Sequence, residues 1–139
     1  MKKVIPIDPI SPDPSLLLRA ANILQHGGVV AFPTDTCYGL AVNPFDPIAV
    51  TRLFKIKGRE STKPIILLIA QMSMLDTLVK TPSPLAEAVI QEFWPGPLTL
   101  IFRKKPVLPD LLTAGNETVG VRLPKAVIPI RLILEAGFP

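Results

Sequence analysis

The sequence predicts an α/β (α+β) fold: a twisted, open, mixed β-sheet with helices packed against it. Three observations carry this expectation. Short apolar, β-branched runs alternate along the chain with segments of helical periodicity. Three helix starts are written as a capping residue followed by proline: Asp13-Pro14, Asp46-Pro47 and Ser83-Pro84. Hydrophobic residues make up 48% of the 139 residues and charged residues 19%, which suits one domain with a sizeable core.

Taken in order, Val4 to Ile7 reads as an edge strand. Asp13-Pro14 opens a helix in which Leu16, Leu17, Ala20, Ile23 and Leu24 recur at helical spacing, and Gly27 ends it. Val29 to Phe32 is a strand that stops at Pro33, and Tyr38 to Val42 is a second. Asp46-Pro47 opens a helix that Gly58 closes. Pro64 precedes Ile65 to Ile69, a continuous apolar run suited to a central strand. Ser73 caps a short helix through Val79, and Ser83-Pro84 opens another that reaches Trp94. Pro95-Gly96-Pro97 stops it. Leu98 to Phe102 and Thr118 to Leu123 read as strands. Pro129 opens a last helix, Ile130 to Ala136, with Gly137 at its end.

Proline is the unusual component, 17 of 139 residues or about 12%, against an ordinary ~5%. The prolines fall at helix starts, strand boundaries and turns, where a fixed φ helps and a missing N–H costs nothing. They therefore punctuate a folded chain rather than compose a linker.

Composition excludes several classes. The longest apolar run, Ile65 to Ala70, is far short of the ~20 residues of a membrane span. The N-terminus is broken by Pro6, Asp8 and Pro9, so a signal-peptide core is not expected, and the expected location is cytoplasmic with no membrane partner. The single Cys37 excludes an intramolecular disulfide and a multi-cysteine metal site. The net charge of +4 mildly favours phosphate-bearing partners.

Four segments carry candidate chemistry. Pro33-Thr34-Asp35-Thr36-Cys37-Tyr38-Gly39-Leu40 sets hydroxyls and a carboxylate between two strands. Two readings stand: a loop that orients a small polar ligand, or a polar turn whose hydroxyls bond its own backbone. Arg52, Lys55, Lys57, Arg59 and Lys63 form a cationic run opposed only by Glu60. Cations at a helix end complement its dipole, which accounts for Lys55 and Lys57 but less well for Arg59 and Lys63. A triphosphate site fits the run, although the spacing of a P-loop is absent. In Phe93-Trp94-Pro95-Gly96-Pro97-Leu98-Thr99, the only tryptophan reads as a core plug beneath a rigid turn rather than a ligand stacker. In Thr118-Val119-Gly120-Val121-Arg122-Leu123-Pro124, alternation sets Thr118, Gly120 and Arg122 on one face. Arg122 suits a bidentate carboxylate; the alternative is a salt bridge at the sheet rim, with Asp35 as the candidate partner. The lone His26 sits at a helix end and receives no catalytic role.

Together these segments resemble the YrdC-like threonylcarbamoyl-adenylate synthase family (YrdC/YciO-type domain). The carrying residues are Gly27-Gly28-Val29-Val30-Ala31-Phe32 with the Pro33–Leu40 loop, Lys57-Gly58-Arg59 with Lys63-Pro64, Trp94 to Thr99, and Thr118 to Pro124. Each is modest alone; the ordered set is specific. The resemblance implies an enzyme that condenses L-threonine, bicarbonate and ATP into threonylcarbamoyl-AMP and pyrophosphate. A partner system of tRNA threonylcarbamoyl-transfer proteins then uses the product. It implies that Thr34 and Arg122 contact threonine with Tyr38 nearby. It implies that Lys57, Arg59 and Lys63 contact the nucleotide phosphates with Thr118 close by, and that Mg2+ accompanies ATP. No catalytic residue and no protein-held metal are assigned. Leu68 stands where some members carry a histidine. The family continues past Phe138-Pro139 into a strand and a Ser-x-Ala/Ser-Asn signature, so residues 1–139 are expected to be a single but incomplete domain. Two other expectations compete: a double-stranded RNA or tRNA-binding module without catalysis, and a catalytically dead truncated domain.

Overall fold

A computed structural model describes residues 3–58, 60 and 62–139. Among the described residues there are five helices and five strands. The order is α1 (Pro14–Gln25), β1 (Val30–Phe32), β2 (Gly39–Ala41), α2 (Pro47–Lys57), β3 (Leu67–Leu68), α3 (Met72–Leu78), α4 (Pro84–Phe93), β4 (Leu100–Arg103), β5 (Thr118–Arg122) and α5 (Val127–Ala136). Helices and strands intermix along the chain, as a mixed α/β fold requires. The strands form two hydrogen-bonded sheets: an antiparallel β1-β2 pair and a three-stranded sheet in the order β3-β5-β4. In the second, β3 runs parallel to β5 with Leu68 beside Arg122, while β4 runs antiparallel to β5.

The capping residues act as the sequence requires. The Asp13 carboxylate accepts the Ser15 N–H at 2.8 Å, Asp46 accepts those of Ile48 and Ala49, and Ser83 accepts that of Ala86. Each satisfies donors that the first helical turn leaves without an intrahelical partner. Gly58 closes α2 at φ 58°, a left-handed conformation that glycine adopts without a Cβ penalty.

Burial divides into two clusters. Leu17, Ala21 and Leu24 of α1 pack with Ile128, Leu132 and Ala136 of α5 and with Phe32. Helices α2, α3 and α4 cover Leu67, Ile69, Phe102, Val119 and Val121 of the larger sheet. Strand β3 explains its own apolar run, because Leu67 faces one cluster and Leu68 packs against the other. A strand covered on both faces has no polar side to show.

The ends of β1, β2, β4 and β5 shift by one or two residues, and four departures are larger. Val4 to Ile7 forms no strand; Pro6 removes a ladder donor, and only Ile7 packs on the core. The run Ile65 to Ile69 contributes only Leu67–Leu68 to a ladder, and β5 rather than β3 is the middle strand. The Ile65 N–H turns instead to the Leu112 carbonyl. Helix α3 starts at Met72 after Gln71, so Ser73 lies inside it and caps nothing. Helix α5 starts at Val127, leaving Pro129 inside the first turn, where an N–H has no intrahelical partner in any case.

Candidate functional site

The polar centre of the molecule is Arg122, at the C-terminal end of β5. It is 7% exposed, one of two buried polar or charged residues among the described ones. Its Nε–H donates to the Gly96 carbonyl at 3.2 Å, its Nη1 to Thr36 Oγ1 at 3.2 Å, and its Nη2 to the Asp35 carboxylate. The salt-bridge reading of Arg122 is the one seen: the ion pair with Asp35 exists, and it lies beside the hydroxyl-rich loop. A buried pair of this kind is costly to break from one side, about 3–5 kcal/mol, because the remaining charge is left uncompensated.

Three segments converge there, each for a local reason. Thr34 orders the loop between β1 and β2. Its hydroxyl accepts the Thr36 and Cys37 N–H groups and donates to the Cys37 carbonyl at 2.5 Å. This is the turn with self-bonded hydroxyls that the sequence allowed, and it presents Asp35 and Thr36 to Arg122. The Pro95-Gly96-Pro97 turn, with a cis Trp94-Pro95 bond, is clamped to the end of β5. Gly96 N–H donates to the Leu123 carbonyl at 2.9 Å, and its own carbonyl receives Arg122. A Cβ at Gly96 would meet the Phe93 carbonyl oxygen at 2.6 Å, so the close turn requires glycine. Beneath it Trp94 is 8% exposed, donates Nε1–H to the Leu98 carbonyl at 2.7 Å, and meets Phe102 edge-on at 6.2 Å between centroids. It is a core plug.

Lys63 precedes β3 and Thr118 opens β5. At about 3.3 Å per residue, Thr118 is roughly 13 Å along the strand from Arg122. Lys57 is exposed at the C-terminal turn of α2, and Tyr38 is 77% exposed. Arg59 lies outside the described residues. Arg52 is tied to the fold, donating to the Gly27 carbonyl at 2.7 Å. Thr118 thus stands at the far end of β5 from the guanidinium-and-hydroxyl cluster. Sequence reasoning placed Gly96 in a rigid turn but not beside Arg122, because its contribution is a backbone carbonyl that residue type does not reveal.

A cavity of about 80 Å³ between the hairpin, β3 and α5 is lined by apolar side chains such as Phe32, Leu40, Leu68 and Ile133. It offers no charged group to orient a polar ligand. Among the described residues, no three of His, Cys, Asp or Glu gather as a metal site, and no helix is long and apolar enough to cross a membrane.

Comparison with known proteins gives the family. The chain is 45% identical over 114 residues to the threonylcarbamoyl-AMP synthase of Pyrococcus abyssi, covering 82% of this chain and 34% of that protein. It is 41% identical over 133 residues to the Bacillus subtilis enzyme of the same name, covering 95% of this chain and 38% of that one. The chain therefore spans well under half the length of these two relatives. The crystal structure of P. abyssi Sua5 complexed with L-threonine matches 93% of this chain and 38% of its own, at 40% identity and a TM-score of 0.90. The model of the Sua5/YciO/YrdC domain, described as telomere recombination, matches residues 22–139, and the chain belongs to that family.

Proposed function

We propose that this chain is part of an L-threonylcarbamoyladenylate synthase, with residues 1–139 belonging to a single YrdC-like domain of it. The enzyme makes threonylcarbamoyl-AMP and pyrophosphate from L-threonine, bicarbonate and ATP. The observation that carries the reading is Arg122: a buried guanidinium, fixed by three partners beside a loop of hydroxyls, at the carboxyl ends of two parallel strands. That end of a parallel sheet is where open α/β folds bind ligands. A likeness to a protein solved with L-threonine supports an amino-acid carboxylate there.

In this reading Arg122 takes the threonine carboxylate, and Thr34 and Tyr38 stand around the same ligand. Lys57, Arg59 and Lys63 neutralise the nucleotide phosphates, with Thr118 beside them. The threonine amine adds to the carbon of bicarbonate with loss of water, giving a carbamate. A carbamate oxygen then attacks the α-phosphorus of ATP and pyrophosphate leaves. Such a displacement needs positioning and charge neutralisation more than a side-chain nucleophile. Mg2+ would accompany the triphosphate and share in neutralising its charge. The product passes to tRNA threonylcarbamoyl-transfer proteins in the cytoplasm, and double-stranded RNA or tRNA is a further partner.

The test is pyrophosphate release from ATP, measured with and without threonine and bicarbonate. Release that requires both supports the reading. A chain that binds neither ATP nor threonine contradicts it. Salt-dependent RNA binding without pyrophosphate release favours the RNA-binding module instead.

A further inference from the structure

We infer that Asp35 is a positioning residue for amino-acid recognition: its carboxylate holds the Arg122 guanidinium in the orientation that leaves a fork of N–H groups for a ligand carboxylate. The inference rests on the threonine reading and extends it to a residue that reading leaves without a role.

A guanidinium carries five N–H groups. Three of those of Arg122 are committed, one each to the Gly96 carbonyl, Thr36 Oγ1 and the Asp35 carboxylate. The two that remain sit one on each Nη, the number a bidentate carboxylate accepts. Asp35 is itself held. Its Oδ2 lies 3.5 Å from the Lys125 N–H, its side chain is 19% exposed, and it rides on the turn that Thr34 closes. The chain of order runs from Thr34 through Asp35 and Thr36 to Arg122. An arginine left to itself has many rotamers, and fixing it beforehand removes that cost from binding. Asp35 acts through Arg122 and need not touch the ligand.

The opposite view makes Asp35 a stand-in for the ligand carboxylate, which substrate must displace. The two views predict opposite signs. Calorimetry separates them with L-threonine and L-threoninol, whose carboxylate is replaced by a hydroxymethyl group. The unaltered chain should prefer threonine. Asp35→Asn should lose at least tenfold in threonine affinity while threoninol changes less than twofold, so the preference collapses. Thr36→Val should move the preference the same way by a smaller factor. It decides the matter if Asp35→Asn fails to fold.

A variant that weakens both ligands equally shows a merely structural role and overturns the inference. So does tighter threonine binding by Asp35→Asn, or an unchanged preference in whichever variant folds. If the unaltered chain binds threonine and the variants match it, only this inference falls. If the unaltered chain binds no threonine, the functional reading falls and takes this one with it.

Discussion

Replacing Trp94 by phenylalanine asks whether the single tryptophan holds the fold or a ligand. In the structure its ring is 8% exposed, and its N–H donates to the Leu98 carbonyl at 2.7 Å. Phenylalanine keeps the edge contact with Phe102 but cannot donate. The orphaned carbonyl costs about 1–2 kcal/mol. The smaller ring buries on the order of 50 Å² less surface, worth about 1 kcal/mol at ~25 cal/mol per Å². The sum is about 2–3 kcal/mol, and alanine should reach about 3–5 kcal/mol. For a chain of this size that corresponds to a fall in melting temperature of roughly 6–12 °C. Urea unfolding followed by far-ultraviolet circular dichroism measures it, since the substitution removes the fluorescent reporter. Threonine and ATP affinities should stay within about twofold of the unaltered chain's, as a plug touches neither ligand. A stability change below about 0.5 kcal/mol together with a large loss of ligand affinity would refute this reasoning, because that is how a stacking platform behaves.

Three other outcomes follow from the same geometry. Asp46→Ala removes the acceptor for two α2 N–H groups and should cost about 1 kcal/mol in urea unfolding. Gly58→Ala meets no atom within 4 Å but forces a Cβ onto φ 58°; it should cost about 1 kcal/mol and Gly58→Asn less, read by the same assay. The side-chain hydroxyl and backbone N–H of Ser15 hold the Asp13 carboxyl below its usual range. A carboxyl depressed on folding stabilises above its unfolded value of about 3.9, and that contribution fades as pH falls through the folded value. Asp13→Asn should therefore flatten the loss of stability below about pH 4, measured by urea midpoints across that window.

Local features of this fold were plain in the residue order because their causes are local. Asp13-Pro14, Asp46-Pro47 and Ser83-Pro84 each place an acceptor and a preset φ within three residues, and each starts a helix as written. Where the cause is distant, reading from residue type stopped short. Nothing near Ile65 to Ile69 says that its ladder narrows to Leu67–Leu68, because that depends on Leu112 drawing off the Ile65 N–H. Val4 to Ile7 has strand-like side chains but no partner strand to pair with among the described residues. The site divides the same way. Asp35, Thr36 and Arg122 stood out by type, and the Asp35–Arg122 pair was one of two alternatives, while the Thr36 contact was not foreseen. The Gly96 carbonyl, brought in from 26 residues away, carries no signal in its residue name.

The central claim is that the Thr34–Tyr38 loop and Arg122 form a seat for an amino-acid carboxylate. Titrating the isotopically labelled chain with L-threonine while following backbone and arginine Nε–H resonances tests it most directly. The account predicts saturable shifts concentrated at residues 34–38, Gly96 and the Arg122 Nε–H, and their loss in Arg122→Met. No saturable shifts, or shifts gathered around the apolar cavity by Phe32 and Ile133 that persist in Arg122→Met, would contradict it.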